Sequence, residues 1–279
     1  MTLLGAAQIR ELAAQLDLKP SKSLGQNFVI DSNVCTKIVR TAGVTSDDIA
    51  LEIGPGLGSL TLAMLEIAKS VIAVEIDPRL AQQLPITVAQ HFEHPENLTV
   101  INKDALAVND LPVDPTVLVA NLPYNVSVPV LLHLLEKFPS IRTGVVMVQA
   151  EVADRLAAKP GGKEYGIPSV KAAWWADVKN VGTVSRSIFW PAPNVDSKLV
   201  GFKRRATPGD ETLRKEVFTI IDLAFAQRRK MLRAALSSRY GGSAAAEAHL
   251  IAAGIDPTLR GESLDINGFC KIAQQGLES

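Results

Sequence analysis

The octapeptide Leu51-Glu52-Ile53-Gly54-Pro55-Gly56-Leu57-Gly58 joins an apolar run, residues 49–53, to a helical pattern. Glycines at such a junction let the backbone turn tightly and let a ligand approach the main chain closely. The competing reading is a strand-to-helix turn with no ligand. Outward from this point, short β-branched runs recur at residues 71–75, 98–101, 116–120 and 144–148, with helical patterns between them. That alternation is the signature of a parallel sheet with helices on both faces, so the expected fold is doubly wound α/β.

Beyond residue 148 the pattern changes. Aromatic and β-branched stretches at residues 167–179, 181–189 and 198–203 predict strands that close the sheet, with an antiparallel edge. After Pro208-Gly209 the chain reads as helical at residues 211–225, 227–239, 244–253 and 262–275. Two domains are expected, residues 1–206 and a small helical one, 207–279. At the N-terminus a helix over residues 3–18 precedes a polar linker, 19–27, and a further helix starts near Asp31.

Composition narrows the function. The 29 basic and 29 acidic residues cancel, yet they are unevenly placed. Between Thr41 and Ala120 eleven acidic residues face three basic ones, whereas from Gly201 to Tyr240 ten basic residues face four acidic ones. The first region suits a cationic ligand and the second a polyanion. The two cysteines, Cys35 and Cys270, and the four histidines fit no metal or redox spacing, so no metal is expected. No apolar run reaches the roughly 18 residues that span a bilayer, and the start lacks a signal-peptide pattern. The chain is therefore predicted to be cytoplasmic, with no membrane partner.

The glycines Gly54 and Gly56 sit in a G-x-G-x-G pattern, unlike the G-x-G-x-x-G that presents a helix N-terminus to pyrophosphate. The second expected strand ends at Glu75, about the distance from the glycine loop at which a carboxylate accepts ribose hydroxyls. S-adenosylmethionine (SAM) has a ribose, no phosphate, and a sulfonium and ammonium that suit an acidic surrounding. Asp104, after the third strand, is placed to accept from an adenine amino group; the alternative is a helix cap.

The fourth strand ends in Asn121-Leu122-Pro123-Tyr124. An exocyclic adenine nitrogen is a poor nucleophile because its lone pair is delocalised into the ring. Two acceptors on its N–H groups, the Asn121 side-chain carbonyl and the main-chain carbonyl of Leu122, would hold that lone pair toward an incoming methyl. Tyr124 would stack on the base. The bland alternative is an Asn-capped turn with a core tyrosine.

With these motifs the chain resembles the ribosomal RNA adenine dimethyltransferase family over nearly its whole length. The resemblance rests on Ser23-Leu24-Gly25-Gln26-Asn27-Phe28, Glu52-Ile53-Gly54-Pro55-Gly56 and Asn121-Leu122-Pro123-Tyr124-Asn125. It also rests on residues 189–197, Phe-Trp-Pro-Ala-Pro-Asn-Val-Asp-Ser, and on Phe225-Ala226-Gln227-Arg228-Arg229-Lys230. It implies a class I SAM-dependent (Rossmann-like) methyltransferase sheet and dimethylation of two adjacent adenosines near the 3′ end of small-subunit ribosomal RNA. It implies further that Asn27 and Val29 border the methionine end of SAM, with Gly54 as cradle, Glu75 at the ribose and Asp104 at the adenine. Asn121 would lie between cofactor and target, and Phe189 would face the target base opposite Tyr124, although the residues alone favour a core position for Phe189. A monomer acting on an immature small subunit is also implied. Ala192, Val29 and Ala150 depart from the common pattern, and only Ala150 bears on RNA affinity.

Arg228, Arg229, Lys230 and Arg233, read as lying within two helical turns, form a basic face for RNA phosphates, with a solvated helix face as the alternative. Lys19 and Lys22 in the linker would add a second contact. Two other functions compete: a macrolide-resistance methylase acting on large-subunit RNA, and an RNA-binding assembly or transcription factor on the same scaffold. A dehydrogenase is more distant.

Overall fold

The computed structural model describes residues 2–18 and 26–277. In chain order its elements are α1 (Ala6–Gln15), β1 (Phe28–Val29), α2 (Ser32–Ala42), β2 (Ile49–Ile53), α3 (Ser59–Leu65), β3 (Ser70–Glu75) and α4 (Pro78–His91). There follow β4 (Leu98–Asn102), β5 (Val117–Asn121), α5 (Ser127–Lys137), β6 (Thr143–Gln149), α6 (Ala150–Ala157), α7 (Ile167–Ala172), β7 (Ala176–Val184), β8 (Phe189–Trp190) and β9 (Ser197–Arg204). The C-terminal helices are α8 (Glu211–Ala226), α9 (Leu232–Ala235), α10 (Ser237–Tyr240), α11 (Ser243–Ala252) and α12 (Ile266–Leu277). Among the described residues no helix is long and apolar enough to cross a membrane.

The main sheet runs β4-β3-β2-β5-β6-β9-β7. β4, β3, β2, β5 and β6 are parallel, and β9 is antiparallel to β6, with Gln149 opposite Ser197. This is the doubly wound α/β sheet expected, with the antiparallel edge. Val71 to Glu75 and Val117 to Ala120 are buried without alternation, as strands covered on both faces should be. β3 and β4 are added on one side of β2, and β5 and β6 on the other. Ligands of doubly wound sheets bind beyond the carboxyl ends of the strands at such a reversal. Gly54, Glu75 and Asn121 all arrive there.

Three expectations of local structure change. Residues 167–172 are helical: the Gly166 N–H bonds the Ser169 hydroxyl at 3.1 Å, and Pro168 is tolerated in a first turn, where its missing N–H costs nothing. The strand expected over 181–189 ends at Val184. A 3₁₀ turn, Arg186–Ile188, follows, and β8 leaves the main sheet to pair with β1. The helix expected over 227–239 breaks at its start, because Gln227 departs from helical geometry (φ −121°, ψ 51°) and the chain turns before α9.

The chain forms two compact units, the described parts of Met1–Ala153 with Lys179–Arg204, and of Asp154–Val178 with Arg205–Ser279. Residues 154–178, assigned above to the first domain, thus pack with the C-terminal helices. Aromatic contacts explain the grouping: Tyr165 meets Phe225 at 6.2 Å, and Trp174 and Trp175 meet Phe218 at 6.3 and 5.4 Å. Phe225 meets Phe269, which is fully buried. Burying one such side chain contributes roughly 1.5–3 kcal/mol. The Tyr165 hydroxyl donates to the Leu264 carbonyl at 2.8 Å.

Candidate active site

A cleft enclosing about 930 Å³, its open mouth included, lies at the strand reversal in the first unit. Its walls include Asn27, Phe28, Gly54, Gly56, Glu75, Ile76, Asp104, Leu106, Asn121 and Pro123. Six of the residues expected to hold the cofactor thus meet in one place: Asn27, Gly54, Gly56, Glu75, Asp104 and Asn121.

The glycine loop is shaped by close approach. Gly54 and Gly56 adopt φ of 68° and 57°, a region that L side chains rarely enter. A Cβ on Gly56 would lie 2.9 Å from a Phe28 ring carbon. The loop N–H groups are already used inside the protein, Gly54 donating to the Val74 carbonyl (2.9 Å) and Gly56 to Glu75 Oε2 (3.2 Å). A pyrophosphate binder leaves such N–H groups for phosphate. Here a carboxylate occupies one of them.

Glu75 is 4% exposed, and its second oxygen accepts from the Asp77 N–H at 2.9 Å. Burial raises its carboxyl above the ordinary value, against the lowering effect of the backbone N–H groups of Asp77, Gly56 and Ile76. A carboxylate offers about four acceptor sites, so with these donors in place capacity remains for ribose hydroxyls. The neighbouring Asp77 caps α4 and is held below the usual carboxylate range, first by the Arg79 side chain that bonds it at 2.8 Å. Gln26 also donates to Asp77, at 3.3 Å, which ties the segment before β1 to the cleft. Asp104 caps the short turn that follows β4, accepting from the Leu106 N–H through Oδ1 at 2.9 Å. The cap and the cleft position coexist. Glu52 is different. Its side chain faces away from the cleft, is 1% exposed and accepts from the Thr61 hydroxyl at 2.6 Å. The carboxylates of the cleft are therefore Glu75 and Asp104, with Lys103 as the cation on the same walls.

Asn121 closes β5. Its Nδ2 donates to the Asn27 carbonyl at 3.2 Å. A carbonyl can only accept, so this bond orients the amide and leaves Oδ1 as the group with free acceptor capacity. The Leu122 side chain is buried and its N–H donates to the Met147 carbonyl at 3.1 Å, so only its main chain is left for chemistry. Tyr124 is half-buried; it is not itself among the residues that line the cleft, although its chain neighbours Pro123 and Asn125 are, and its hydroxyl shares a 2.6 Å hydrogen bond with Ser197.

Val29 and Phe189 are not brought to the cleft. In the pairing of β1 with β8, Phe28 lies opposite Trp190 and Val29 opposite Phe189. Successive strand residues face opposite ways. Phe28 lines the cleft and stacks on Trp190 at 6.3 Å, so Val29 and Phe189 turn into the core, 6% and 3% exposed. The Val29 carbonyl accepts from the Ser59 hydroxyl at 2.7 Å. Phe28, not singled out by the sequence patterns, is a wall of the cleft, as are Ile76 and Leu106, which are apolar yet 49% and 41% exposed there. Exposed apolar side chains beside Asp104 suit the two faces of a flat aromatic base. They carry no motif and so leave no trace in the sequence.

In the second unit Arg228, Arg229 and Lys230 are exposed on the turn between α8 and α9, not along a helix. Arg228 is held by Glu262 (2.8 Å) and the Lys163 carbonyl (2.6 Å), and Arg233 by Glu247 (2.9 Å). Arg229 and Lys230 have no acidic partner among the described residues. Lys22 lies outside the described residues.

The family model described as "Ribosomal RNA adenine dimethylase" matches residues 18–275. The chain belongs to this family. It is 60% identical to the "Ribosomal RNA small subunit methyltransferase A" of Leifsonia xyli subsp. xyli, over 98% of each chain. It is 58% identical to the protein of that name from Thermobifida fusca, over 98% of this chain and 96% of the relative. Among solved structures, a dimethyladenosine transferase from Plasmodium falciparum superposes with a TM-score of 0.76 at 26% identity, covering 89% of this chain and 98% of that one. The 23S rRNA methyltransferase ErmE does so with 0.66 at 28%, covering 89% and 99%. This dimethylase family member is a SAM-dependent ribosomal RNA adenine methyltransferase. The cleft fits that cofactor: two carboxylates against one lysine, Lys103, together with side-chain amides and apolar flanks, meet a nucleoside with a cationic tail.

Proposed function

We propose that the protein dimethylates the exocyclic amino groups of two adjacent adenosines near the 3′ end of small-subunit ribosomal RNA, acting as a cytoplasmic monomer on an immature subunit. The reading is carried by Asn121, held by the Asn27 carbonyl at the mouth of the glycine loop with its own carbonyl oxygen available. The small-subunit assignment is supported by the relatives of that name at 58–60% identity, against 28% for the large-subunit enzyme.

Glu75 would hold the cofactor ribose, Asp104 the adenine amino group, Ile76 and Leu106 the adenine faces, and Asn27 the amino-acid end. Bound SAM supplies a methyl on a sulfonium centre. In the first transfer Asn121 Oδ1 and the Leu122 carbonyl would accept the two N–H groups of the target amine, and in the second they would hold its one remaining N–H, which keeps the lone pair aimed across the cleft; each time the N–C bond would form as the S–CH3 bond breaks, the neutral thioether would leave, and the proton lost by the amine would pass to water. The ring of Tyr124 stacks on the flipped base, worth roughly 1–3 kcal/mol. Catalysis is then positioning for in-line displacement, with no acid or base side chain required. Arg229 and Lys230 contact RNA phosphates, with Arg228 and Arg233 shared between RNA and their acidic partners.

The test is transfer of labelled methyl groups from SAM to small subunits lacking the modification, followed by mapping of the labelled nucleotides. Dimethyladenosine at adjacent 3′-terminal positions is expected, and Asn121→Ala should abolish transfer while changing SAM affinity by less than about threefold. Label confined to large-subunit RNA would move the protein to the resistance type. RNA and SAM binding without transfer would make it an assembly factor.

A further inference from the structure

The Tyr124 hydroxyl has no part in base stacking, since a phenyl ring presents the same face. Yet it is fixed by a hydrogen bond of 2.6 Å to Ser197, a residue 73 positions away and 1% exposed. A buried hydroxyl without a partner is costly, so this bond is stabilising for both groups. Ser197 opens β9 and is itself held in place. Gln149 lies opposite it across the β6–β9 pair, and the Ala150 N–H donates to the Asp196 carbonyl at 2.9 Å. Arg186 bonds the Asp196 carboxylate at 3.2 Å and the Asn194 carbonyl at 3.2 Å, which secures the exposed turn leading into β9. Tyr124 follows the loop that leaves β5, so its ring is anchored at the hydroxyl end by the sheet two strands away.

We infer that Ser197 is a positioning residue for the methyl transfer: it fixes the angle of the Tyr124 ring against which the target adenine is held. The inference rests on the proposed stacking role of Tyr124. Loosening the ring lowers the population of correctly held base without removing any contact to SAM or to RNA phosphates, so the rate falls and the affinities do not.

Single-turnover methylation of ribosomal RNA at saturating SAM tests this with Ser197→Ala, Tyr124→Phe, their double variant, Ser197→Thr and Tyr124→Ala. Each of the first two should slow the step about three- to tenfold, the worth of one hydrogen bond, with SAM affinity and the KM for RNA within about twofold of the parent. The double variant should be no slower than the slower single, because both remove one bond. Ser197→Thr, which keeps the hydroxyl, should recover the rate. Independent, multiplying losses in the double variant would overturn the inference. So would loss of SAM binding alongside the rate, or a parental rate in Ser197→Ala while Tyr124→Ala is slow. If Ser197→Ala does not fold, Tyr124→Phe removes the same bond from the other side, and a parental rate there overturns the inference by itself. A parental rate in Tyr124→Ala would instead remove the stacking role on which it rests.

Discussion

Replacing Glu52 with glutamine should make the stability of the first unit less sensitive to pH. Glu52 is buried beneath the glycine loop, and loss of hydration pushes its carboxyl from 4.5 up to about 8, with the charge of Glu75 adding to the rise and the Thr61 hydroxyl opposing it. In the unfolded chain the group ionises near its ordinary value. Between pH 4.5 and 8 the folded chain therefore keeps a proton that the unfolded chain has lost. Its contribution to stability is complete below about pH 4.5 and is lost as pH rises through that window. Each pH unit in the window costs about 1.4 kcal/mol, so by pH 8 the loss is on the order of several kcal/mol, a large part of a domain's usual 5–15 kcal/mol. Glutamine copies the neutral acid: its carbonyl still accepts from Thr61, and its NH2 replaces the protonated oxygen. Urea unfolding followed by circular dichroism at pH 5, 6, 7 and 8 should find the variant within about 1 kcal/mol of the parent at pH 5. The variant should gain on the parent with each step and lead by several kcal/mol at pH 8, at unchanged m-value. A parent–variant difference that stays constant across the four pH values would refute the reasoning, because it would mean that Glu52 titrates alike in both states.

Gly56→Ala should weaken SAM binding at least tenfold by calorimetry and lower the melting temperature, because the new Cβ would lie 2.9 Å from the Phe28 ring at a φ of 57°. Ile76→Ala removes an apolar wall that is 49% exposed, so the melting temperature should hold while SAM affinity falls about fivefold, roughly 1 kcal/mol of apolar contact. Arg229→Ala and Lys230→Ala should each flatten the dependence of log K for RNA on log salt by about one. Arg228→Ala should in addition lower the melting temperature, since Glu262 and the Lys163 carbonyl lose their partner.

What the sequence made legible was local. The five parallel strands could be read because each is a short β-branched run between glycine or helical signals, and buried parallel strands need no alternation to be recognised. Gly54, Glu75, Asp104 and Asn121 could be read because the strand ends converge wherever the order of the sheet reverses. What stayed hidden was set by distant partners. Residues 167–172 carry β-branched and aromatic neighbours that suit a strand, and their helix follows from a Gly166 to Ser169 cap. Whether Phe28 or Val29 turns toward the cleft, and whether Trp190 or Phe189 lies opposite Phe28, is a question of phase in a two-residue pairing between segments 160 positions apart. A slip of one residue would exchange every face. The basic run misled for a related reason: a helical pattern continues through Gln227, but the backbone does not, so of four cations read as one helix face three stand on a turn, and Arg228 and Arg233 are bound to glutamates. The Tyr124–Ser197 bond belongs to the same class. Both residues stand in recognisable motifs, and only the antiparallel return of β9 beside β6 brings them together. The proposed site is thus laid out by strand ends, and the contacts that set its geometry join segments that are far apart in the chain.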